Sequence, residues 1–243
     1  MIKKLLLFVV AAVLSSCASS GPGAGVKPPT INPKYIVKLT GNPDWSEISE
    51  INKALGGRCK IVGKTVDLQG GCLDGSKLKK SADSQSEKNT PVKIRVEGLT
   101  LKNGYGRNLP GGLMVFSSNV TFENLIFTGT SEDFVSNAKD VSDNFSIIKC
   151  KFYNNSRGDK SLQSNGAVGL LVRDCYITGG ITAIRIGESS SKRRGEARVE
   201  NCTIEGVPTF LNVDGKMKVY VKGNTLKNVG QKYVVKDGSK VIE

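Results

Sequence analysis

Residues 172–177 read VRDCYI and residues 199–204 read VENCTI, so two segments share one arrangement of apolar and polar positions. The shared pattern is apolar-x-x-apolar-x-apolar, and it recurs elsewhere in the chain. The six segments that carry it are Val96–Leu101, Phe122–Phe127, Ile147–Phe152, Val172–Ile177, Val199–Ile204 and Val221–Leu226. Their fourth positions are spaced 26, 25, 25, 27 and 22 residues apart. A repeat of this length indicates one supersecondary unit stacked on the next.

The repeat predicts an all-β fold, a right-handed parallel β-helix. No stretch between the repeats is long and helical enough for a leucine-rich or ankyrin repeat, whereas three strands of about 4–6 residues and three bends fit. Parallel strand crossovers are right-handed, and equivalent residues in such a coil stack about 4.8 Å apart. The fourth positions should therefore form one interior ladder. Its predicted members are Leu99, Leu125, Cys150, Cys175, Cys202 and Asn224.

A short amphipathic helix is predicted before the coil, between Pro43 and Gly57. Its apolar side chains fall on one face, and they are Trp45, Ile48, Ile51 and Leu55. Asp44 suits the N-cap, and Gly56-Gly57 suits the C-terminal end. Because a β-helix exposes core and strand edges at its ends, we expect this helix to cap the coil within a region of about 35–80.

The first residues predict export and lipid anchoring. A charged start is followed by an apolar stretch too short to span a membrane, and Leu14-Ser-Ser-Cys17 resembles a bacterial lipobox. This divides the chain into a signal peptide (1–16), a lipidated Gly/Pro/Ser-rich tether (17–34) and a single β-helix domain (35–243). The residues after Cys17 favour the outer membrane of the cell envelope. The alternative is an ordinary signal peptide that contains a cysteine.

The remaining cysteines divide into two groups. The exported compartment is oxidising, and Cys59 and Cys72 close a short loop, so we predict a disulfide between them. Cys150, Cys175 and Cys202 belong to the repeat and are expected to act as small buried hydrophobic side chains. A disulfide between neighbouring rungs is the less favoured alternative.

The composition limits the partners and the chemistry. Lys and Arg number 35 against 22 acidic residues, a net charge of +13, which favours a polyanionic partner. Nucleic acid is disfavoured by the export signal and by an aromatic content of only 6%. The chain has no histidine, which excludes Ser-His and Cys-His nucleophiles and histidine metal sites. Catalysis would therefore depend on carboxylates, lysine, arginine, tyrosine or a hard cation.

Charged residues recur on the second strand of successive repeats. Glu132-Asp133, then Lys160, then Arg185 are predicted to lie on successive rungs of about the same exposed face. A salt-bridged surface stripe would have the same pattern. At such a surface position, replacing Lys160 is expected to change stability little.

These segments resemble the pectate lyases of polysaccharide lyase family three, which are right-handed β-helices. The resemblance covers about residues 95–240. It rests on Ser131-Glu-Asp133, on Gly158-Asp-Lys-Ser-Leu-Gln163 and on the arginine of Ile181–Arg185. It implies cleavage of an acidic polysaccharide by calcium-assisted β-elimination. Calcium takes hard oxygen ligands, which would be Glu132 and Asp133.

The same resemblance assigns roles to the basic residues. Lys160 would be the base that removes the proton, and Arg185 would hold the substrate carboxylate in a bidentate contact. Gln163 is a candidate substrate-binding residue within the lysine segment. Arg193 and Arg194, on a basic turn, would extend the binding groove. We expect a monomer.

Two departures from the family keep an alternative open. A further metal-binding Asp of the family is replaced by Gly111-Gly112-Leu113, and a second lysine is replaced by Thr182. The alternative is a non-catalytic β-helical envelope lipoprotein that binds polyanionic glycans. A β-helical glycosidase ranks last, because it needs two carboxylates across a cleft and only Glu132 and Asp133 are clustered.

Overall fold

A computed structural model describes residues 26–79, 92–129, 133–138, 142–154, 160–166, 168–188, 190 and 195–243. Two strands, one helix and a hairpin strand precede the coil. They are β1 (Ile36–Lys38), β2 (Asp44–Trp45), α1 (Ile48–Ala54) and β3 (Lys60–Val62). No helix of the described residues has the length and apolar character needed to span a membrane.

The coil follows, and each of its turns supplies strands to three faces. The first turns contain β4 (Thr65–Asp67), β5 (Cys72–Asp74), β6 (Val92–Ile94), β7 (Thr100–Arg107), β8 (Leu113–Val115), β9 (Thr121–Thr128) and β10 (Val135–Asn137). The middle turns contain β11 (Ser146–Ile148), β12 (Lys151–Asn154), β13 (Lys160–Ser164), β14 (Leu170–Arg173), β15 (Tyr176–Gly179) and β16 (Thr182–Ile186). The last contain β17 (Glu196–Glu200), β18 (Thr203–Glu205), β19 (Thr209–Val213), β20 (Lys218–Lys222), β21 (Thr225–Lys227), β22 (Gln231–Val235) and β23 (Lys240–Ile242).

The strand pairing confirms the predicted right-handed parallel β-helix. The third face is one sheet in the order β2-β6-β8-β10-β13-β16-β19-β22. The first and second faces are joined, because β7 and β9 are long enough to run along both; β9 pairs with β11 through its first half and with β12 through its second. Among the described residues the β3–β4 hairpin is the one antiparallel pair.

The interior ladder is confirmed from Leu125 onward, but Leu99 is not part of it. Strand pairing stacks Leu125, Cys150, Cys175, Cys202 and Asn224 on successive turns. The residue beside Leu125 in β7 is Gly104. A Cβ atom at Gly104 would lie 2.6 Å from Leu68 Cδ1, so the Leu68 side chain fills this rung of the ladder. Because Gly104 has no apolar side chain, the sequence pattern does not mark this rung of the ladder. The prediction therefore assigned Leu99 to it.

The corner between the first and second faces explains the polar position before each ladder residue. The residues at this corner all have φ between 50° and 70°, and they are Asn103, Asn124, Lys149, Asp174, Asn201 and Gly223. Asn, Asp and Gly adopt this left-handed conformation more readily than other residues. Asn124 Nδ2 also donates to Asn103 Oδ1 at 2.9 Å, which links adjacent turns. The residue immediately before each ladder residue therefore determines the bend between the first and second faces.

The predicted capping helix is present, with a different start. Trp45, Ile51 and Leu55 are at most 3% exposed and join the core of the coil. Asp44 is not the N-cap: it lies in β2 and pairs with Arg95 at 2.8 Å. Glu47 is the N-cap residue, and the Glu50 carboxylate accepts hydrogen bonds from the backbone of Ser46 and Glu47.

The predicted Cys59–Cys72 disulfide is absent, since both residues are free thiols in the structure. Cys59 Sγ lies 3.7 Å from Asn52 Oδ1, next to α1. Cys72 is buried in β5, between β1 and β7. The two cysteines belong to different layers, one in the cap and the other in the coil. Burial raises the pKa of Cys72 to about 11.

Candidate functional site

The third face contains a concentration of buried polar residues around β10, β13 and β16. Asp133 is 3% and Lys160 4% exposed, and Lys160 Nζ lies 3.9 Å from Asp133 Oδ1. The pairing of Val135 with Leu162 places Asp133 beside Lys160 on the next turn. The predicted succession of the two residues is therefore present, but the expectation that Lys160 lies on an exposed surface is wrong.

Arg185 lies on the turn that follows this pair, in a different column of side chains. The register partner of Lys160 on β16 is Thr182, and the partner of Arg185 is Gln163. Arg185 is thus three residues further along the strand than the position beside Lys160, and it is partly exposed. Lys160 pairs with Thr182, 22 residues later, and not with Arg185 as predicted. The predicted single column of charged residues is therefore two columns. The structure sets Thr182, the departure from the family pattern, directly beside Lys160.

Gln163 belongs to a buried amide network that sequence reasoning did not detect. Its Nε2 donates to Asn165 Oδ1 at 2.6 Å, and Asn165 Nδ2 donates to the Asn137 carbonyl at 3.1 Å. Asn137 Oδ1 in turn accepts from the Asn165 backbone N–H at 3.1 Å. All three side chains are at most 6% exposed.

A sequence signal for this network was present. Asn137 and Ser164 occupy a column in which the other turns carry Val115, Ile186 and Val213. Polar residues at interior positions of two adjacent turns are unusual, because a buried polar group is costly unless it is hydrogen-bonded. They mark the same two turns that carry Asp133 and Lys160.

The described residues at this place do not form a calcium site by themselves. Asp133 is the one predicted metal ligand that is described, and its carboxylate faces Lys160. The register places Gly111 on its other side, and a Cβ at Gly112 would lie 2.2 Å from the Asp133 carbonyl oxygen. No group of three or more acidic, Cys or His residues suited to a metal occurs in the described part of the chain. Calcium requires several oxygen ligands, so the fit is poor.

Several predicted site residues lie outside the described residues. They are the lipidation residue Cys17, the metal ligand Glu132, and the groove residues Arg193 and Arg194. Their roles remain predictions. The site that the structure brings together consists of Asp133, Lys160 and the amide network, with Thr182 and Arg185 on the following turn.

Comparisons with known proteins did not identify a family. The sequence matches no protein-family model, and a search of curated proteins found no match. What the structure shows is a parallel β-helix, a fold compatible with that of the pectate lyases.

Proposed function

We propose that this protein binds an acidic polysaccharide at the third face of the coil and cleaves it by β-elimination. The observation that carries the proposal is the buried Lys160–Asp133 pair, with Arg185 on the next turn. A buried ion pair is a weak source of stability, because desolvation offsets its Coulomb energy. A chemical role is a better explanation of such a pair, and the order of residues follows that of the lyases the sequence resembles.

The chemistry requires a base and a carboxylate clamp. The base removes the proton alpha to the uronate carboxylate, and the electron pair left behind forms a carbon–carbon double bond. The glycosidic C–O bond at the β carbon breaks, and the leaving oxygen takes a proton from water. Lys160 is the proposed base. Only its neutral amine can accept the proton, and Asp133, 3.9 Å from its Nζ, is the group that would take the ammonium proton beforehand. Arg185 is the proposed partner of the substrate carboxylate, since a guanidinium binds carboxylates through two parallel hydrogen bonds. No step is assigned to calcium, because the described residues fit it poorly.

A second candidate is binding of a polyanionic glycan without catalysis. Two observations favour it. The Lys160 side chain is only 5% exposed, so a substrate has little access to the amine. The neighbouring positions are Gly111 and Thr182, where the resemblance would require a carboxylate and a lysine. On this hypothesis the protein is an envelope lipoprotein that retains a family scaffold but not its activity.

The two candidates are separated by incubating the protein with polygalacturonate, with and without calcium, and measuring absorbance of the unsaturated uronate product. The test variant is Lys160→Met combined with Asp133→Asn, which removes both charges of the pair together. The control is Lys151→Met, because Lys151 is an exposed lysine on the same turn. We expect product from wild type and the control, and none from the double variant.

The outcomes are distinct. Polymer binding by wild type without product would support the glycan-binding hypothesis and end the lyase proposal. Product formation by the double variant, with circular dichroism showing it folded, would exclude Lys160 as the base.

A further inference from the structure

The final turn of the coil is surrounded by lysines. From residue 215 to residue 243 the chain contains seven lysines and two acidic residues. The lysines, all exposed, are Lys216, Lys218, Lys222, Lys227, Lys232, Lys236 and Lys240, and we refer to them as the lysine collar. Glu243 lies 2.6 Å from Lys232 and Glu196 lies 3.8 Å from Lys218. With seven lysines, the collar keeps a net positive charge.

Apolar surface lies within the collar. Val235 is 45% and Ile242 39% exposed, although both are in strands of the last turn. Among the described residues no further strand pairs with the outer edges of β21, β22 and β23. A cleft of about 310 Å³ opens at this end, and Phe210, Val221 and Leu226 contribute to its lining. The opposite end differs, because α1 and Trp45 cover it.

The N-terminal segment leads toward this same end. Lys34 N–H donates to the Gly70 carbonyl at 2.9 Å, next to β5, whereas Val26 N–H donates to Thr178 Oγ1 at 3.0 Å, on β15. On the second face β15 lies four rungs beyond β5 and two rungs before β21. Residues 26–34 therefore run back along the coil, and Val26 lies about 10 Å from the level of the last rung.

This path brings the predicted lipid anchor within reach of the collar. Cys17 precedes Val26 by nine residues, which span at most about 30 Å when extended. An acyl chain on Cys17 can therefore enter a bilayer that contacts the final turn. A polybasic patch is a common second signal for membrane binding beside a lipid anchor.

We propose that the lysine collar is a membrane-docking surface that binds the phosphates of anionic phospholipids, so that the coil stands end-on to the bilayer. Val235 and the apolar residues that line the cleft lie at the uncovered end of the coil, and lysines surround that end. Such a surface suits the boundary between headgroups and acyl chains. An acidic polysaccharide is the weaker candidate partner, because the surface is a ring around an apolar centre and not a groove along the coil. The collar shares no residue with the polysaccharide site, so the two proposals succeed or fail separately.

The test is co-sedimentation of the full chain with phosphatidylcholine vesicles, with and without phosphatidylglycerol, over a range of salt concentrations. The collar variant carries Lys222→Gln, Lys227→Gln, Lys236→Gln and Lys240→Gln. The control variant loses the same charge at the opposite end, through Lys38→Gln, Lys53→Gln, Lys60→Gln and Lys64→Gln, all at exposed positions. Because every protein keeps the same N-terminal segment, its contribution to binding is common to all of them.

We expect wild type and the control to bind the anionic vesicles at low salt, and the collar variant to bind at least about tenfold more weakly. Equal losses in both variants would show a non-specific charge effect and overturn the proposal. Collar-dependent binding to soluble polygalacturonate, with no preference for phosphatidylglycerol vesicles, would assign the collar to glycans instead.

Discussion

Asp74 shows how one buried carboxylate is kept ionised between two turns of the coil. It is 2% exposed, and Arg107 on the next turn donates to its Oδ2 from both Nε, at 3.1 Å, and Nη2, at 2.8 Å. Burial acts to raise the pKa of Asp74, but hydrogen bonds from the Ser76 backbone and from Arg107 outweigh it and lower the pKa. The aspartate therefore stabilises the fold above its unfolded-state pKa, which is about 3.9. That contribution is lost as the pH falls through the lower folded-state pKa.

Arg107→Gln should accordingly destabilise the protein in a pH-dependent way. We expect a loss of about 1–2 kcal/mol in the free energy of unfolding at neutral pH, because Asp74 would be left buried with fewer charged donors. The difference from wild type should shrink as the pH falls below about 4. Urea unfolding at several pH values measures both effects.

The matched control is Lys218→Gln, whose partner Glu196 is 3.8 Å away in a pair about half exposed on both sides. An exposed pair of this kind is worth little, so its loss should change stability by less than about 0.5 kcal/mol. A pH-independent loss in Arg107→Gln would mean that the arginine acts by packing alone.

At the same scale, the candidate site shows what a sequence can and cannot specify. The order Asp133, Lys160, Arg185 was readable, because residues on successive repeats must lie on successive turns. The sequence did not predict that these residues are buried or that they lie in two columns. The columns depend on the strand register, which is set by the number of residues in each bend. The position of Thr182 beside Lys160 follows from a bend length that no local propensity encodes.

At the scale of the elements, a fixed interior position on each turn determines the stacking. The spacing of apolar segments predicted parallel strands and the ladder from Leu125 to Cys202, because one face of every strand must be buried. It failed at Gly104, where the side chain that fills the ladder comes from Leu68 instead. The pattern of residue types within one turn cannot show that a side chain from a neighbouring turn fills a ladder position. The cap was predicted for the complementary reason, since Trp45 and Ile51 would otherwise be exposed.

Gly104→Ala tests this account of the ladder. The added methyl would lie 2.6 Å from Leu68 Cδ1 and 2.7 Å from the Gly71 carbonyl oxygen, so one turn must move. We expect a loss of about 1–3 kcal/mol in the free energy of unfolding, as for other overpacked cores. Combining it with Leu68→Ala should cost less than the sum of the two single changes, because the second removes the Cδ1 contact. The contacts with Leu68 Cβ, at 2.7 Å, and with the Gly71 carbonyl oxygen remain, so the relief is partial.

Gly41→Ala provides the comparison for backbone strain. Nothing lies within 4 Å of a Cβ at Gly41, but its φ is 70°, so any loss there comes from conformation alone. Additive effects of Gly104→Ala and Leu68→Ala would show that Leu68 does not fill the ladder position.

At the scale of the whole molecule, each turn contacts only its neighbours, and stability is therefore expected to be distributed along the coil axis. The cysteines mark positions on that axis. Cys72 lies in the first turn, next to the cap, whereas Cys150, Cys175 and Cys202 form the ladder of later turns. All four are at most 2% exposed. Burial raises the pKa of Cys72 to about 11 and that of Cys150 to about 12, so neither should react with an alkylating reagent while its turn is intact.

Trp45→Ala should open the coil from its N-terminal end. Trp45 is 3% exposed beneath α1, and its removal should cost about 3–5 kcal/mol locally by leaving a cavity in the cap. If neighbouring turns are coupled only pairwise, the opening will be confined to the first turns. Cys72 should then become reactive toward iodoacetamide, while Cys150, Cys175 and Cys202 stay protected. Peptide mass spectrometry after timed alkylation measures each thiol separately, and Cys59, already partly exposed, gives the reference rate. If the ladder thiols react as fast as Cys72 in this variant, the coil unfolds as a single unit and the cap secures the whole fold.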